Sequence, residues 1–146
     1  MYRTIVVGTD CSPTADAAVV KAASLARSVG ATLHVVSAYS EPVGTLVAAA
    51  SGAVLPTSDW SASAVQDRRA RVEATGERLR AEGTEVVTRV EQGDPATTLI
   101  AISEEVAADL IVVGDRGLKG IRGLLGSIPN TVTHRAGIDV LVVHTT

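Results

Sequence analysis

The sequence has almost no aromatic residues: its 146 positions include no phenylalanine, one tryptophan and two tyrosines. Hydrophobic residues nevertheless make up 46% of the chain and charged residues 20%, which excludes wholesale disorder. The core must therefore consist of valine, leucine, isoleucine and alanine. We expect one domain over residues 1–146, because a chain of this length can bury a core that is stable by itself.

Cysteine and long apolar runs are also scarce. Cys11 is the only cysteine, so an intramolecular disulfide and a cysteine metal cluster are excluded. No apolar run reaches transmembrane length, and Met1–Gly8 leads into a strand-like run without the features of a secretory signal. We therefore expect a cytoplasmic protein with no membrane partner. The net charge of −3 argues against a nucleic-acid partner held through phosphate contacts.

Short β-branched runs alternate along the chain with helical patterns. Ser12 followed by Pro13 is typical of a helix start and Gly30 of a helix end; Asp94 followed by Pro95 repeats the starting pattern. The uncharged residues 43–58 predict a long loop. The predicted strands are 4–8, 32–39, 85–91, 109–114 and 139–144, and the predicted helices are 13–29, 61–82, 96–107 and 129–136.

Five strands in alternation with four main helices predict an α/β fold with one doubly wound, open, parallel sheet. Arg89 and Glu91 place the third strand near an edge, and the apolar fourth strand is expected inside the sheet. In such sheets ligands bind beyond the carboxyl ends of the strands, where the strand order reverses. The segments after the first and fourth strands are therefore the places to look for function.

The segment after the fourth strand has a glycine at every third position from Gly114 to Gly126 and ends at Ser127. Glycine lets backbone N–H groups approach an anion, and the helix that starts at Ser127 adds a favourable dipole. Arg116, Lys119 and Arg122 add positive charge. The pattern favours a phosphate site over a merely flexible connection. It is neither a P-loop nor the dinucleotide-binding fingerprint.

This glycine pattern, Gly-x2-Gly-x8-Gly-Ser, resembles the signature of the universal stress protein family. The segments VVGTDCSPTADAA, ADLIVVGDRG and GSIPNTVTHRAGIDVLVVHTT are similar to the start, centre and end of that family. The resemblance implies a Rossmann-like fold of the adenine-nucleotide alpha-hydrolase type with strand order 3-2-1-4-5. The spacer 118–125 is one residue shorter than is usual in the nucleotide-binding branch, so ATP and the smaller cyclic AMP both stay open as ligands.

The resemblance also implies an adenine-nucleotide site and a homodimer. Asp10 would contact the adenosine, Ala38 would read the adenine edge through its main chain, and Val113 would flank the ribose. The dimer would pair the last strands through Val140, Leu141, Val142 and Val143. The implied nucleotide-binding residues are Gly8, Thr9, Asp10, Ala38, Val113, Gly114, Arg116, Gly117, Gly126, Ser127 and Ile128.

The function that follows is a nucleotide sensor or reservoir in a stress response, which holds ATP or cyclic AMP and is not a catalyst. One alternative is a weak Mg²⁺-dependent ATPase or phosphoryl-transfer enzyme, with Asp10 and Asp115 as candidate Mg²⁺ ligands. Another is a nucleotide-free interaction module. No catalytic residue and no metal site of the protein itself are predicted, because the histidines are scattered and no base accompanies Ser127.

Two further residue groups have structural interpretations. Asp10 competes with Ser12 for capping the first helix, and Ser12 is better placed. Cys11 is interpreted as a small packed residue. The charged residues within 67–73, which include Arg68, are interpreted as a solvated helix face.

Overall fold

The computed structural model describes residues 1–40, 52, 62–115 and 127–145. In these residues strands and helices alternate as predicted. Apart from Gly52, the predicted loop 43–58 lies outside the described residues, as does the glycine-rich segment 116–126. The elements are β1 Thr4–Gly8, α1 Pro13–Val29, β2 Thr32–Tyr39, α2 Ala62–Ala81, β3 Val86–Gln92, α3 Pro95–Glu105, β4 Leu110–Gly114, α4 Ser127–Arg135 and β5 Asp139–Val143.

The five strands form one sheet in the order β3-β2-β1-β4-β5, and every neighbouring pair is parallel. This confirms the doubly wound sheet, its strand order, the edge position of β3 and the interior position of β4. The order reverses between β1 and β4: the chain moves outward from β1 through β2 to β3, then returns to the other side of β1. The carboxyl ends of β1 and β4 therefore flank the switch point of the sheet.

The interior strands are buried on both faces because their side chains alternate between two hydrophobic clusters. Ile5, Val7 and Val112 point to the face covered by α1 and α2, whereas Val6 and Ile111 point to the face covered by α3 and α4. All buried hydrophobic residues in the described ranges are isoleucine, leucine, valine or alanine. This confirms the expected aliphatic core.

The helix ends follow the sequence signals. The Ser12 hydroxyl accepts a hydrogen bond from Ala15 N, and Gly30 ends α1 with φ +70. The Asp94 carboxylate accepts from Thr97 N at 3.0 Å and begins α3. None of the helices in the described ranges is both long and apolar enough to cross a bilayer.

Candidate functional site

A cleft opens at the switch point, between the carboxyl ends of β1 and β4. It encloses about 620 Å³ of space, part of it open to solvent. Its walls come from strand ends and from the first turns of three helices. The lining residues are Gly8, Thr9, Asp10, Ala15, Val36, Ala38, Pro95, Leu99, Val113, Gly114, Ile128 and Pro129.

The cleft brings together most of the residues that the sequence singles out as nucleotide-binding. Ser127 is described as the first residue of α4 but does not line the cleft. Arg116, Gly117 and Gly126 lie outside the described residues. The predicted residues that line the cleft are Gly8, Thr9, Asp10, Ala38, Val113, Gly114 and Ile128.

Sequence reasoning missed five lining residues, all of them apolar: Ala15, Val36, Pro95, Leu99 and Pro129. Two of these five residues could have been found from the sequence. Pro95 and Pro129 lie in the first turns of α3 and α4, and the first turn of a helix that follows a parallel strand faces the carboxyl end of the sheet. Leu99 lies one turn further along α3, so its presence depends on how that helix packs.

Gly8 lets α3 approach the sheet at the floor of the cleft. A Cβ atom built on Gly8 would lie only 2.8 Å from Leu99 Cδ1, closer than two carbon atoms can pack. Leu99 is itself buried, with 3% of its surface exposed. A side chain at position 8 would therefore push Leu99 away and change the shape of the cleft.

The turn after β1 is held by its own side chains. Thr9 N donates to Val36 O at 2.9 Å, and Thr9 Oγ1 accepts from Cys11 N at 3.1 Å. Asp10 Oδ1 accepts from Ser12 N at 2.8 Å, while Ser12 caps α1 as predicted. Asp10 thus stabilises the turn by one oxygen and also lines the cleft.

Chemically, the cleft is an apolar slot with helix N-termini at its rim. Val36, Leu99 and Val113 supply apolar walls, and the first turns of α1, α3 and α4 contribute lining residues. Helix N-termini attract anions, but α1 and α3 are already capped by Ser12 and Asp94 and begin with prolines, which have no N–H group. Such a slot can hold a flat apolar ring and place a negatively charged group near the start of α4.

The residue that directly follows β4, Asp115, is held by β5 and the residues after it. Asp115 N donates to Val143 O at 2.8 Å. Asp115 Oδ1 accepts from Thr145 N at 3.0 Å and from the Thr145 hydroxyl at 2.7 Å, and Oδ2 lies 2.6 Å from His144 Nδ1. Mainly because of the Thr145 hydroxyl, with support from His144, the pKa of Asp115 falls to about 2. The sequence suggested Asp115 only as a Mg²⁺ ligand, so this structural role was missed.

The side chain of Arg68, on α2, corrects one interpretation of the sequence. Arg68 is not simply part of a solvated helix face, because its Nη1 donates to Ser37 Oγ at 2.8 Å, and Ser37 is fully buried on β2. Burial raises the pKa of the nearby Cys11 thiol, although the Arg68 charge opposes this. A neutral thiol packed against the α1 face agrees with the structural interpretation of Cys11.

Metal-ligating side chains are dispersed in the part of the chain that the structure describes: no group of three or more His, Cys, Asp or Glu could hold an ion there. His34 lies within the sheet with an unpaired, buried Nδ1. Burial, followed by the charge of Arg89, lowers the pKa of this histidine.

Comparisons with known proteins agree along the length of the chain. A model of the Universal stress protein family matches residues 1–144. The chain is 37% identical over 147 residues to universal stress protein Rv1636 of Mycobacterium tuberculosis, covering 99% of this chain and 98% of the relative.

Two solved structures are also similar. One is a universal stress protein in complex with cAMP, with 34% sequence identity and a TM-score of 0.71 over 99% of this chain and 98% of that chain. The other is the universal stress protein from Archaeoglobus fulgidus in complex with dAMP, with 25% identity and a TM-score of 0.68 over 97% of both chains.

Proposed function

The chain belongs to the universal stress protein family, and from this premise we propose that it binds an adenine nucleotide in the cleft between β1 and β4. It acts as a nucleotide sensor or reservoir rather than as a catalyst. The observation that carries the proposal is the shape and chemistry of the cleft: apolar walls beside the start of α4, at the switch point of the sheet.

The proposed arrangement follows the lining residues. The adenine ring lies in the apolar part of the slot and is read by the Ala38 main chain, with Asp10 at the adenosine. Val113 and Gly114 flank the ribose. The phosphate lies at the start of α4, near Ile128, where the dipole of the helix favours negative charge. The backbone around Gly8 and Thr9 lines the adenosine pocket beside Asp10. The other proposed phosphate contacts are Arg116, Gly117, Gly126 and Ser127.

Cyclic AMP is the ligand proposed first, and ATP with Mg²⁺ is second. Two similar solved structures hold cAMP and dAMP, each with a single phosphate. The shortened spacer 118–125 also favours a small phosphate group, since it gives the segment less chain with which to surround a triphosphate.

Several hydrogen bonds support a non-catalytic role. A phosphoryl-transfer enzyme needs acidic ligands for Mg²⁺ and a positioned nucleophile. Asp115 already accepts hydrogen bonds through both carboxylate oxygens, and Asp10 uses one oxygen for the turn after β1. Neither carboxylate is wholly available to a metal ion.

Isothermal titration with cyclic AMP, and separately with ATP plus Mg²⁺, tests the proposal. The Gly117→Ala variant should weaken cyclic AMP binding by about tenfold, or 1.4 kcal/mol, because glycine in the Gly-x2-Gly pattern is expected to let the backbone approach the phosphate closely. Gly137→Ala is the matched control, since nothing lies within 4 Å of a Cβ at that position, and it should bind like the wild type.

Other results would redirect the proposal. Tighter binding of ATP than of cyclic AMP would reject the cyclic ligand. Hydrolysis of ATP that disappears in Asp10→Ala would support the enzyme alternative. Absence of binding to both nucleotides would overturn the proposal and favour the interaction module.

We also propose a homodimer that forms through the outer edge of β5. Among the described strands β5 pairs only with β4, and Val140, Leu141 and Val142 are half-buried. An apolar edge strand left unpaired promotes aggregation, so pairing with a second copy is physically favourable.

Sedimentation equilibrium should give twice the chain mass of 15.0 kDa, and Leu141→Glu should shift the protein toward the monomer. A monomeric wild type at micromolar concentration would overturn this part.

A further inference from the structure

The ring of His34 carries a buried nitrogen atom that the proposed nucleotide site does not use. Within the described ranges, His34 Nδ1 is the single buried side-chain nitrogen or oxygen without a hydrogen-bond partner. Buried polar atoms are nearly always paired in folded proteins, because an unpaired one loses its hydrogen bonds to water and gains none. This exception therefore needs an explanation of its own.

His34 lies on β2, on the face of the sheet that α3 and α4 cover. Its neighbours Leu33 and Val35 point to the opposite face, under α1 and α2. Val36 points the same way as His34, because side chains two residues apart share a face of a strand, and it packs in the cluster under α3. Since Val36 also lines the cleft, the His34 ring lies on the same row of β2 side chains as the cleft wall.

Only the neutral form of the ring fits this packing. A neutral imidazole has one N–H donor and one acceptor nitrogen, so Nδ1 can be the acceptor and no buried donor is left unpaired. A protonated imidazole has a donor on both nitrogens. Its Nδ1–H group would then be a buried, charged donor without an acceptor, which is far more costly.

Two of the neighbouring elements bring charges to the ring. These charges are Arg89 from β3 and Glu105 from the end of α3, whereas Val6, the register partner on β1, is uncharged. Arg89 Nη1 lies 2.9 Å from Glu105 Oε1, and Arg89 also pairs with Glu91 on its own strand. The Arg89–Glu105 pair thus joins β3 to α3. A protonated His34 would repel Arg89 and compete with it for Glu105.

Helix α3 connects these charges to the cleft. It begins at Pro95, which lines the cleft together with Leu99, and it ends at Glu105, whose charge acts on His34. The hydrogen-bonded backbone of a helix is stiff, so a shift at one end is passed to the other. A change in how the end of α3 packs on β2 therefore changes the cleft wall.

We propose that His34 makes nucleotide binding sensitive to acid: the neutral ring lets α3 pack on β2, and protonation of the ring loosens α3 and weakens binding in the cleft. The inference rests on the proposed nucleotide binding and adds regulation to it. His34 does not touch the nucleotide. It is a positioning residue that acts through α3.

The pH range of the effect follows from the preference of the folded chain for the neutral ring. Because burial lowers the pKa of His34 below its ordinary value of 6.5, the stabilisation is complete above about pH 6.5 and is lost as the pH falls below it. Most aspartates and glutamates stay ionised down to about pH 5, as does the phosphodiester of cyclic AMP. Changes between about pH 7 and about pH 5 therefore report mainly on histidines.

The experiment titrates cyclic AMP into the wild type and His34→Phe at about pH 7 and about pH 5, with circular dichroism to show that each protein is folded. The affinity of the wild type should fall about fivefold at the lower pH. The affinity of His34→Phe should change by less than about twofold, because its ring has a similar shape and takes up no proton. If His34→Phe does not fold, His34→Val, a residue suited to strands, replaces it.

The other two histidines provide matched controls. His134 is exposed on α4 and His144 directly follows β5, so His134→Phe and His144→Phe should keep the wild-type loss of affinity in acid. A second measurement follows the ring signals of His34 by NMR. Bound cyclic AMP should shift the protonation of His34 to lower pH, because binding and protonation oppose each other reciprocally.

The outcomes separate this inference from the proposed nucleotide binding. A wild type that binds no cyclic AMP at about pH 7 overturns both. Equal affinity at the two pH values, or a loss in acid that persists in the His34 variants, overturns the inference alone. A loss in acid that disappears in either control variant, unfolding of the wild type at about pH 5, or a His34 titration that cyclic AMP leaves unchanged also overturns it.

Discussion

The two ends of β4 are held by the same kind of contact and differ in what lies beyond them. At the amino end, the Asp109 carboxylate accepts from two backbone N–H groups of the residues that start β1. At the carboxyl end, the Asp115 carboxylate accepts from Thr145 and contacts His144, just after β5. Both contacts lower the pKa of the aspartate.

The comparison shows that similar contacts have different surroundings at the two ends of one strand: a closed connection at the amino end and the cleft at the carboxyl end. The residues before Asp109 form a tight connection from α3, in which Ala108 N donates to Ser103 O, so the amino end is closed. At the carboxyl end, β1 continues into α1 on one face while β4 continues toward α4 on the other. The chain therefore separates there and leaves the cleft, next to which Asp115 lies.

The largest effect is expected from a core substitution near the closed end. Leu110 is 2% exposed and packs on the α1 face, opposite the cleft. Leu110→Ala should lower the free energy of unfolding by about 3 kcal/mol, from lost burial and the cavity left behind, as measured by urea denaturation. Cyclic AMP affinity should nevertheless stay within about twofold. A large loss of affinity would mean that the cleft depends on the packing of Leu110 on the opposite face of the sheet.

A smaller effect on stability is expected when the pH is lowered, through Asp115 at the carboxyl end of β4. The pKa of Asp115 is about 2 in the folded chain against 3.8 without its partners, so its ionised form stabilises the fold above about pH 4 and this contribution disappears as the pH falls toward 2. The stability difference between the wild type and Asp115→Asn, measured by urea denaturation, should therefore shrink from pH 7 to about pH 3.

The same pH dependence of stability can be measured for Asp109 at the amino end of β4. The pKa of Asp109 is also lowered, first by the backbone N–H of Arg3 and then by that of Thr4, so the sign of the effect is the same. Asp109→Asn should likewise approach the wild type in acid. A difference that is as large at about pH 3 as at pH 7 would contradict the hydrogen-bonded carboxylates at either end.

The smallest effect is expected from coupling between the ends. Asp109 and Asp115 lie about 20 Å apart along the strand, at roughly 3.3 Å per residue, and share no hydrogen-bond partner among the residues that the structure describes. In a double-mutant cycle with Asp109→Asn and Asp115→Asn, the losses in stability should add, with no interaction beyond the error of the measurement. A clear coupling energy would mean that β4 responds as one rigid unit.

Much of the fold could be predicted from sequence because local signals and burial agreed. Ser12 with Pro13, Asp94 with Pro95, and Gly30 fixed helix ends through hydrogen bonds between near neighbours in the chain. The β-branched runs fixed the interior strands. Boundaries were less certain: α3 ends at Glu105 rather than at residue 107, since Ala107 has a φ of +51.

The candidate site was only partly predictable. Residues at strand ends were expected at the switch point, and seven of the predicted residues do line one cleft there. Leu99 could not be found in this way, because its presence depends on the packing of α3 against the sheet. Val36 was missed because it lies inside β2 rather than at its end. The bond between Arg68 and Ser37 was missed because the two residues lie on separate elements.

The sequence by itself determined the aliphatic core, the alternation of strands and helices and the order of elements, because these follow from periodicity, capping and turn chemistry within short stretches of chain. Only the tertiary structure decided which side chains meet across distant stretches: Leu99 against Gly8, Arg68 on Ser37, and Asp115 on Thr145. Hydrogen bonds and van der Waals contacts act over a few ångströms, so partners that are far apart in the chain exist only once the sheet has brought their strands together.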